Sequence, residues 1–171
     1  VIADVADAAL TVEAAEQAPW HPGRCARLLV GDWPIGYAGE LHPTVIESLG
    51  LPQRTVAMEL DLDAIPVVET RPAPSVSPYP PVLLDVALVV DATVPAASVA
   101  AALRKGGGQR LEDVTLFDVY TGEQVGDGRQ SLAFNLRFRD QERTLTVEEA
   151  TALRDDAVAA ADQAFGATLR G

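Results

Sequence analysis

Six prolines fall between positions 66 and 81, at Pro66, Pro72, Pro74, Pro78, Pro80 and Pro81. Each fixes φ near −65° and removes a backbone donor, so neither a helix nor a central strand can run through this stretch. The length allows one medium domain or two small ones, and the proline stretch favours two pieces, residues 1–65 and 82–171, joined by a linker over 66–81. At 171 residues, two small domains can each bury a core without staples, and the single cysteine, Cys25, excludes an internal disulfide. One unpaired cysteine suits a reducing compartment, and the cytoplasm is the expected location.

The second piece has a legible order. Val82 to Asp91 is a β-rich run, and Pro95 opens an alanine-rich helix that Gly106, Gly107 and Gly108 bring to an end. A strand from Leu111 to Tyr120 follows, then a turn from Thr121 to Gly128. The next strand, Arg129 to Arg139, alternates strictly through Leu132, Phe134, Leu136 and Phe138. Thr146 and Glu149 predict a capping box for a last helix, on which Ala150, Leu153, Ala157, Ala161 and Phe165 share one face. Gly166 stops it, leaving Ala167 to Arg170 as a short final strand.

This βαββαβ order predicts an α+β, ferredoxin-like domain, with two helices on one face of a four-stranded antiparallel sheet and the other face open. Simple alternation sends Thr115, Phe117 and Val119 toward the helices and Leu116, Asp118 and Tyr120 to the open face. On the neighbouring strand Ser131, Asn135 and Arg137 also point outward. A surface offering an aromatic ring, a carboxylate, a hydroxyl, an amide and a guanidinium can stack on and hydrogen-bond unpaired bases.

In the first piece, Val1 to Ala9 reads as a helix and Cys25 to Val30 as a strand. The turn Gly31-Asp32-Trp33-Pro34 leads into a second strand at Ile35 to Ala38, making a hairpin. Pro43 to Leu49 is a short helix and Thr55 to Leu62 another strand, together the tail of an α+β domain. A start at Val1 rather than methionine predicts a fragment of something longer. Asp4, Asp7, Glu13 and Glu16 interrupt the alanine-rich opening, so it offers neither a membrane span of roughly 20 apolar residues nor a signal-peptide core.

The net charge of −12 opposes any partner held chiefly through phosphates. An RNA contact here must be small and local, with most of the nucleic acid held elsewhere, and the segment alone is expected to bind weakly. His21, His42 and Cys25 lack the paired short spacings of structural zinc sites, and the two histidines read as turn residues. The Gly106–Gly108 run follows a helix, whereas a phosphate loop precedes one. Arg139 and Arg143, beside Asp140 and Glu142, read as a solvated rim. No nucleophile, carboxylate pair or metal cluster stands in a catalytic context.

Two sets of residues carry a resemblance. His21-Pro22-Gly23-Arg24, the run from Ile35 through Gly36-Tyr37-Ala38-Gly39-Glu40-Leu41-His42 to Pro43, and Glu59-Leu60-Asp61-Leu62-Asp63 resemble the inactive, class II synthetase-like domain of the bacterial phenylalanine–tRNA ligase β-subunit family. Tyr79-Pro80, Asp85, Leu116-Phe117-Asp118-Val119-Tyr120, Ser131-Leu132-Ala133-Phe134, and Phe138-Arg139-Asp140 through Arg143-Thr144-Leu145-Thr146 resemble that family's ferredoxin-fold anticodon-binding domain.

The resemblance implies a C-terminal part of the β subunit of a cytoplasmic α2β2 enzyme. Its α subunit would charge tRNA-Phe using ATP and Mg²⁺, with no cofactor bound by this segment. It implies that Tyr120 stacks on an anticodon base while Asp118 and Ser131 hydrogen-bond base edges; Arg137 joins them from the face assignment alone. The family usually carries arginine just before the aspartate of the first strand, where this chain has Leu84, so the backbone contact expected of that arginine does not carry over. Two rival readings are a regulatory module that binds an amino acid and a purely structural interface domain, and fold alone does not choose among them.

Overall fold

A computed structural model describes residues 10–65, 73 and 76–170. The helix expected at Val1 to Ala9 and the linker residues Pro66, Pro72 and Pro74 lie outside the described residues. The chain divides into two compact units, Val1–Ala73 and Pro74–Gly171.

The first unit is an antiparallel meander of β1 (Leu10–Ala15), β2 (Trp20–Val30), β3 (Trp33–Leu41) and β4 (Val56–Leu60), with helix α1 (Pro43–Leu49) between β3 and β4. The expected hairpin is there but longer. Its two-residue turn, Gly31-Asp32, joins Val30 to its partner Trp33, and pairing runs on to Trp20 and Leu41. Strand β1 was not anticipated, because the alanines around Leu10-Thr11-Val12-Glu13 dilute its alternation. Trp20, Cys25, Leu41 and Ile46 form the core, and the Trp20 indole N–H donates to the Ala57 carbonyl at 3.1 Å. At Gly39 a Cβ would stand 2.2 Å from the Arg24 carbonyl oxygen, so only glycine lets β2 and β3 approach this closely. His42 is the N-cap of α1, its ring accepting from the Thr44 N–H, which gives this histidine a turn role, whereas His21 departs from its expected turn role and lies inside strand β2.

The second unit runs β5 (Val82–Asp91), α2 (Ala96–Gly107), β6 (Leu111–Tyr120), β7 (Arg129–Phe138), α3 (Val147–Phe165) and β8 (Thr168–Leu169). This is the expected βαββαβ order, and the antiparallel sheet is arranged β6-β7-β5-β8. Val86, Leu88 and Val90 of β5 and Leu132, Phe134, Leu136 and Phe138 of β7 point to one face, where they pack with Val99 and Leu103 of α2 and Ala150, Ala157 and Ala161 of α3. The alternating apolar set of β7 is what seats the helices.

The start of α3 is the anticipated capping box, Thr146 accepting from the Glu149 N–H and Glu149 from the Thr146 N–H. The glycine run differs from its expected role. Gly106 and Gly107 lie inside α2, and only Gly108, at φ 63°, ends it. A Cβ on Gly106 would stand 2.7 Å from the Asp156 carbonyl oxygen and 2.8 Å from Ala157 Cα, so this glycine sets the spacing of α2 and α3.

Arg139 and Arg143 are more than a solvated rim. Arg139 Nη1 donates to the carbonyls of Ser77 (3.2 Å) and Tyr79 (2.8 Å), while the Ser77 hydroxyl donates to the Asp140 carbonyl (2.9 Å). Residues at the end of the proline stretch are thereby fixed to the second unit. Arg143 forks onto both Glu149 oxygens, at 2.8 and 2.6 Å.

Candidate nucleic-acid interface

The face of the second sheet turned away from α2 and α3 is ordered in rows by strand register. Asp113, Arg137 and Leu83 lie across from one another, then Thr115, Asn135 and Asp85. Next come Asp118, Ala133 and Ala87, and then Tyr120, Ser131, Val89 and Thr168. Cross-strand partners share a face, so Asp118, Tyr120, Ser131, Asn135 and Arg137 all stand on the outer side.

On β6 the inner and outer sets differ in part from simple alternation. The register skips Glu112 and again Phe117, so two bulges interrupt β6. Thr115 pairs with Asn135 and is therefore outward, while Leu116 pairs with Phe134 and is inward, the reverse of the expected assignment. The bulge at Phe117 then resets the phase, returning Asp118 and Tyr120 to the outer face and Val119 to the inner one.

The four residues singled out from sequence meet different surroundings. Asp118 is exposed. Tyr120 is half-buried, with the Arg170 guanidinium 4.8 Å above its ring centroid. Arg170 in turn donates to the Gln124 side-chain carbonyl, and the loop backbone at Gly122 lies against the phenol hydroxyl. Ser131, across from Tyr120, is only 3% exposed, so its hydroxyl is not freely presented on an open surface. Arg137 is committed to an ion pair, its Nε donating to a Glu112 oxygen that also accepts from Arg139 Nε at 3.1 Å.

Sequence reasoning passed over Arg170. The Arg170 N–H donates to the Ala87 carbonyl, extending the β8 pairing by one residue and putting the side chain in the Ala87–Ala133–Asp118 row. The short last strand, read with alternation from Thr168, is the signal that could have located it. Across the small floor of Ala87 and Ala133, the Asn135 amide donates to Asp85 at 2.7 Å. The Leu84 departure proves to concern the other side: Leu84 pairs with Leu136 and packs against the helix-covered core.

Charge on this surface is mixed. Asp91, at the end of β5, is held below the ordinary carboxylate range by hydrogen bonds from the Thr93 hydroxyl and N–H, with a smaller pull from Arg129. The face therefore suits a ligand recognised by stacking and by donors and acceptors on base edges more than one recognised as a polyanion. Among the described residues, no group of three or more His, Cys, Asp or Glu side chains comes together to hold a metal ion. No helix among them is long and apolar enough to cross a membrane.

Residues 77–170 match the family model of the ferredoxin-fold anticodon binding domain, and residues 1–62 that of the phenylalanyl tRNA synthetase beta chain CLM domain. The chain is 59% identical, over 99% of its length, to the phenylalanine–tRNA ligase beta subunit of Mycolicibacterium paratuberculosis. It is 58% identical over the same share to the beta subunits of Nocardia farcinica and Thermobifida fusca. It spans about one fifth of the length of these relatives, 20% of the first and 21% of the third.

Proposed function

The chain belongs to the ferredoxin-fold anticodon-binding domain family, and from that premise we propose that it is a noncatalytic part of a phenylalanine–tRNA ligase β subunit, whose second unit reads the anticodon of tRNA-Phe. The observation that carries this reading is the strand register, which gathers Asp118, Tyr120 and Ser131 on the sheet face turned away from α2 and α3. Residues 1–65 are the end of the inactive class II synthetase-like domain, 66–81 the linker and 82–171 the RNA-reading domain. The partners are tRNA-Phe, the α subunit and a second β subunit in a cytoplasmic α2β2 ligase. ATP and Mg²⁺ serve the reaction in the α subunit, and no step of it passes through this segment.

Within the face, Tyr120 and the guanidinium of Arg170 form one stacking platform. A splayed base either displaces Arg170 from the ring or stacks on its planar guanidinium, and both surfaces accept any nucleobase. Asp118 accepts from the amino or imino groups of a base, and the Asp85–Asn135 pair offers an acceptor and a donor beside the alanine floor. Ser131 acts from beneath Tyr120, as the residue against which the ring is seated or as a donor reached once the ring swings aside. Arg137 steers the backbone from the far row when its ion pair with Glu112 opens.

Filter binding of tRNA-Phe to the assembled ligase at fixed salt tests this, with Tyr120→Ala, Tyr120→Phe and an anticodon-substituted tRNA. Loss of the ring is expected to weaken binding by about 1–3 kcal/mol, and phenylalanine retains most of the stacking. ATP–pyrophosphate exchange with phenylalanine, which needs no tRNA, stays unchanged and reports an intact enzyme. Equal binding and charging by Tyr120→Ala would overturn the assignment.

A further inference from the structure

Tyr120 and Arg170 are rooted at opposite edges of their sheet, since the strand order is β6-β7-β5-β8 and the Arg170 N–H extends the β8 pairing to Ala87. The spacing of neighbouring strands puts those edges roughly 14 Å apart. The two side chains nevertheless meet, the guanidinium standing 4.8 Å from the ring centroid, so they reach toward each other over β7 and β5. The ring is held at a second place as well. A Cβ on Gly122 would stand 2.5 Å from the phenol oxygen, so the loop backbone lies against that end of the ring. Gln124, in the same loop, accepts a hydrogen bond from the guanidinium.

Ser131, the register partner of Tyr120, lies on β7 between those edges, with only 3% of its surface exposed. Its hydroxyl makes no hydrogen bond among the described residues. A buried polar group without a partner is costly, and a ligand that supplies the missing bond offsets that cost. At 3% exposure, however, the hydroxyl cannot meet a base unless groups on this face move.

We propose that Arg170 is a latch on Tyr120: its guanidinium, tied to Gln124, holds the ring closed in the free protein and leaves it before a base docks. The latch rests on the base-reading role proposed for Tyr120 and Ser131, and of the two ways a base can meet the platform it leaves one. A base stacked on the outer side of the guanidinium stands one layer further from the ring and out of reach of Ser131. A base that takes the guanidinium's place stacks on Tyr120 itself, beside Ser131 in the ladder. Arg170 is thus a positioning residue that acts through Tyr120. Only the unlatched fraction binds, and the apparent affinity falls by that fraction. A cation–π contact joined to a charge-assisted hydrogen bond keeps the open form to about one molecule in ten.

The test uses the assembled ligase and tRNA-Phe carrying 2-aminopurine at each anticodon position in turn, a base whose fluorescence falls when it stacks. Stopped-flow mixing separates the concentration-dependent encounter from a concentration-independent docking phase in which the quench develops. The amplitude of that phase reports the ring: at one position or more it is expected to vanish with Tyr120→Ala and to survive Tyr120→Phe. Its rate reports the latch. Arg170→Ala is expected to raise the docking rate about tenfold with the amplitude retained, in line with an open fraction near one in ten. Gln124→Ala, which loosens the guanidinium without touching the ring, raises it less, and Arg170→Lys, which keeps the charge and loses the planar fork, falls between the parent and Arg170→Ala. A docking rate unchanged or slowed in both Arg170→Ala and Gln124→Ala would overturn the latch and leave the base-reading role standing. Loss of the amplitude in Arg170→Ala would make Arg170 part of the stacking surface and overturn the latch likewise. An amplitude that Tyr120→Ala leaves intact at every position would overturn both.

Discussion

Arg170 sits one residue beyond the last strand, where side chains are seldom fixed, yet it lies over Tyr120 and is tied to Gln124. Nothing in composition singles it out among thirteen basic residues; only its register with Ala87 does. The resemblance singles out Tyr120, Asp118 and Ser131, and the structure puts them on one sheet face with unequal access. Ser131 is buried at a position paired with Tyr120, a placement that no reading of one strand reveals. Gly106 was legible as a glycine and misread as a helix end. Its real constraint is the neighbouring helix, whose Asp156 carbonyl leaves no room for a Cβ. Gly106→Ala is therefore expected to destabilise the second unit by about 1–3 kcal/mol through overpacking, read as a lower midpoint in chemical denaturation; an unchanged midpoint would show that α2 and α3 can move apart freely.

Elements were read more faithfully than faces. Strands β5 and β6, helix α1 and the α3 capping box all lie where turn residues and periodicity put them. The phase of β6 was missed although its signal is present: after the first bulge at Glu112, polar residues stand at Asp113 and Thr115, then at Asp118. The odd-numbered polar positions give way to an even one at the bulge, a change that a single alternation overlooks.

The cap of α3 also makes a pH statement. Glu149 is drawn down from 4.5 to about 2, first by hydrogen bonds from the Arg143 side chain and then by the Thr146 N–H. A carboxylate with a lowered folded-state pKa contributes stability that is complete above its unfolded value and lost as pH falls through the folded one. The second unit is thus expected to lose stability between about pH 4.5 and pH 2 in acid titration followed by circular dichroism. Glu149→Gln should flatten that portion of the curve; a variant as acid-sensitive as the parent would assign the transition to other carboxylates. Thr146→Ala removes the reciprocal bond and should cost about 1 kcal/mol, measured as a shift in the urea midpoint at neutral pH.

For the whole molecule, a net charge of −12 and the proposed base-reading face imply contact with few phosphates. The affinity of the 171-residue chain for an anticodon stem-loop should therefore vary gently with salt. One or two neutralised phosphates give a logarithmic slope no steeper than about −1.5. A slope several times steeper would mean that the basic residues, and not the sheet face, hold the RNA. The chain alone should bind weaker than micromolar, since the relatives it matches are about five times its length, a ratio that follows from its 20% span, and the proposed function leaves the remaining contacts to the rest of a ligase.

The most direct measurement is amide chemical-shift mapping of the chain titrated with the tRNA-Phe anticodon stem-loop, beside a stem-loop of scrambled anticodon. The expected shifts cluster at Asp85, Ala87, Asp118, Tyr120, Ala133, Asn135 and Arg170, and fade with the scrambled loop. Shifts confined to the exposed residues of α2 and α3, or the same shifts with both loops, would contradict an anticodon-reading sheet.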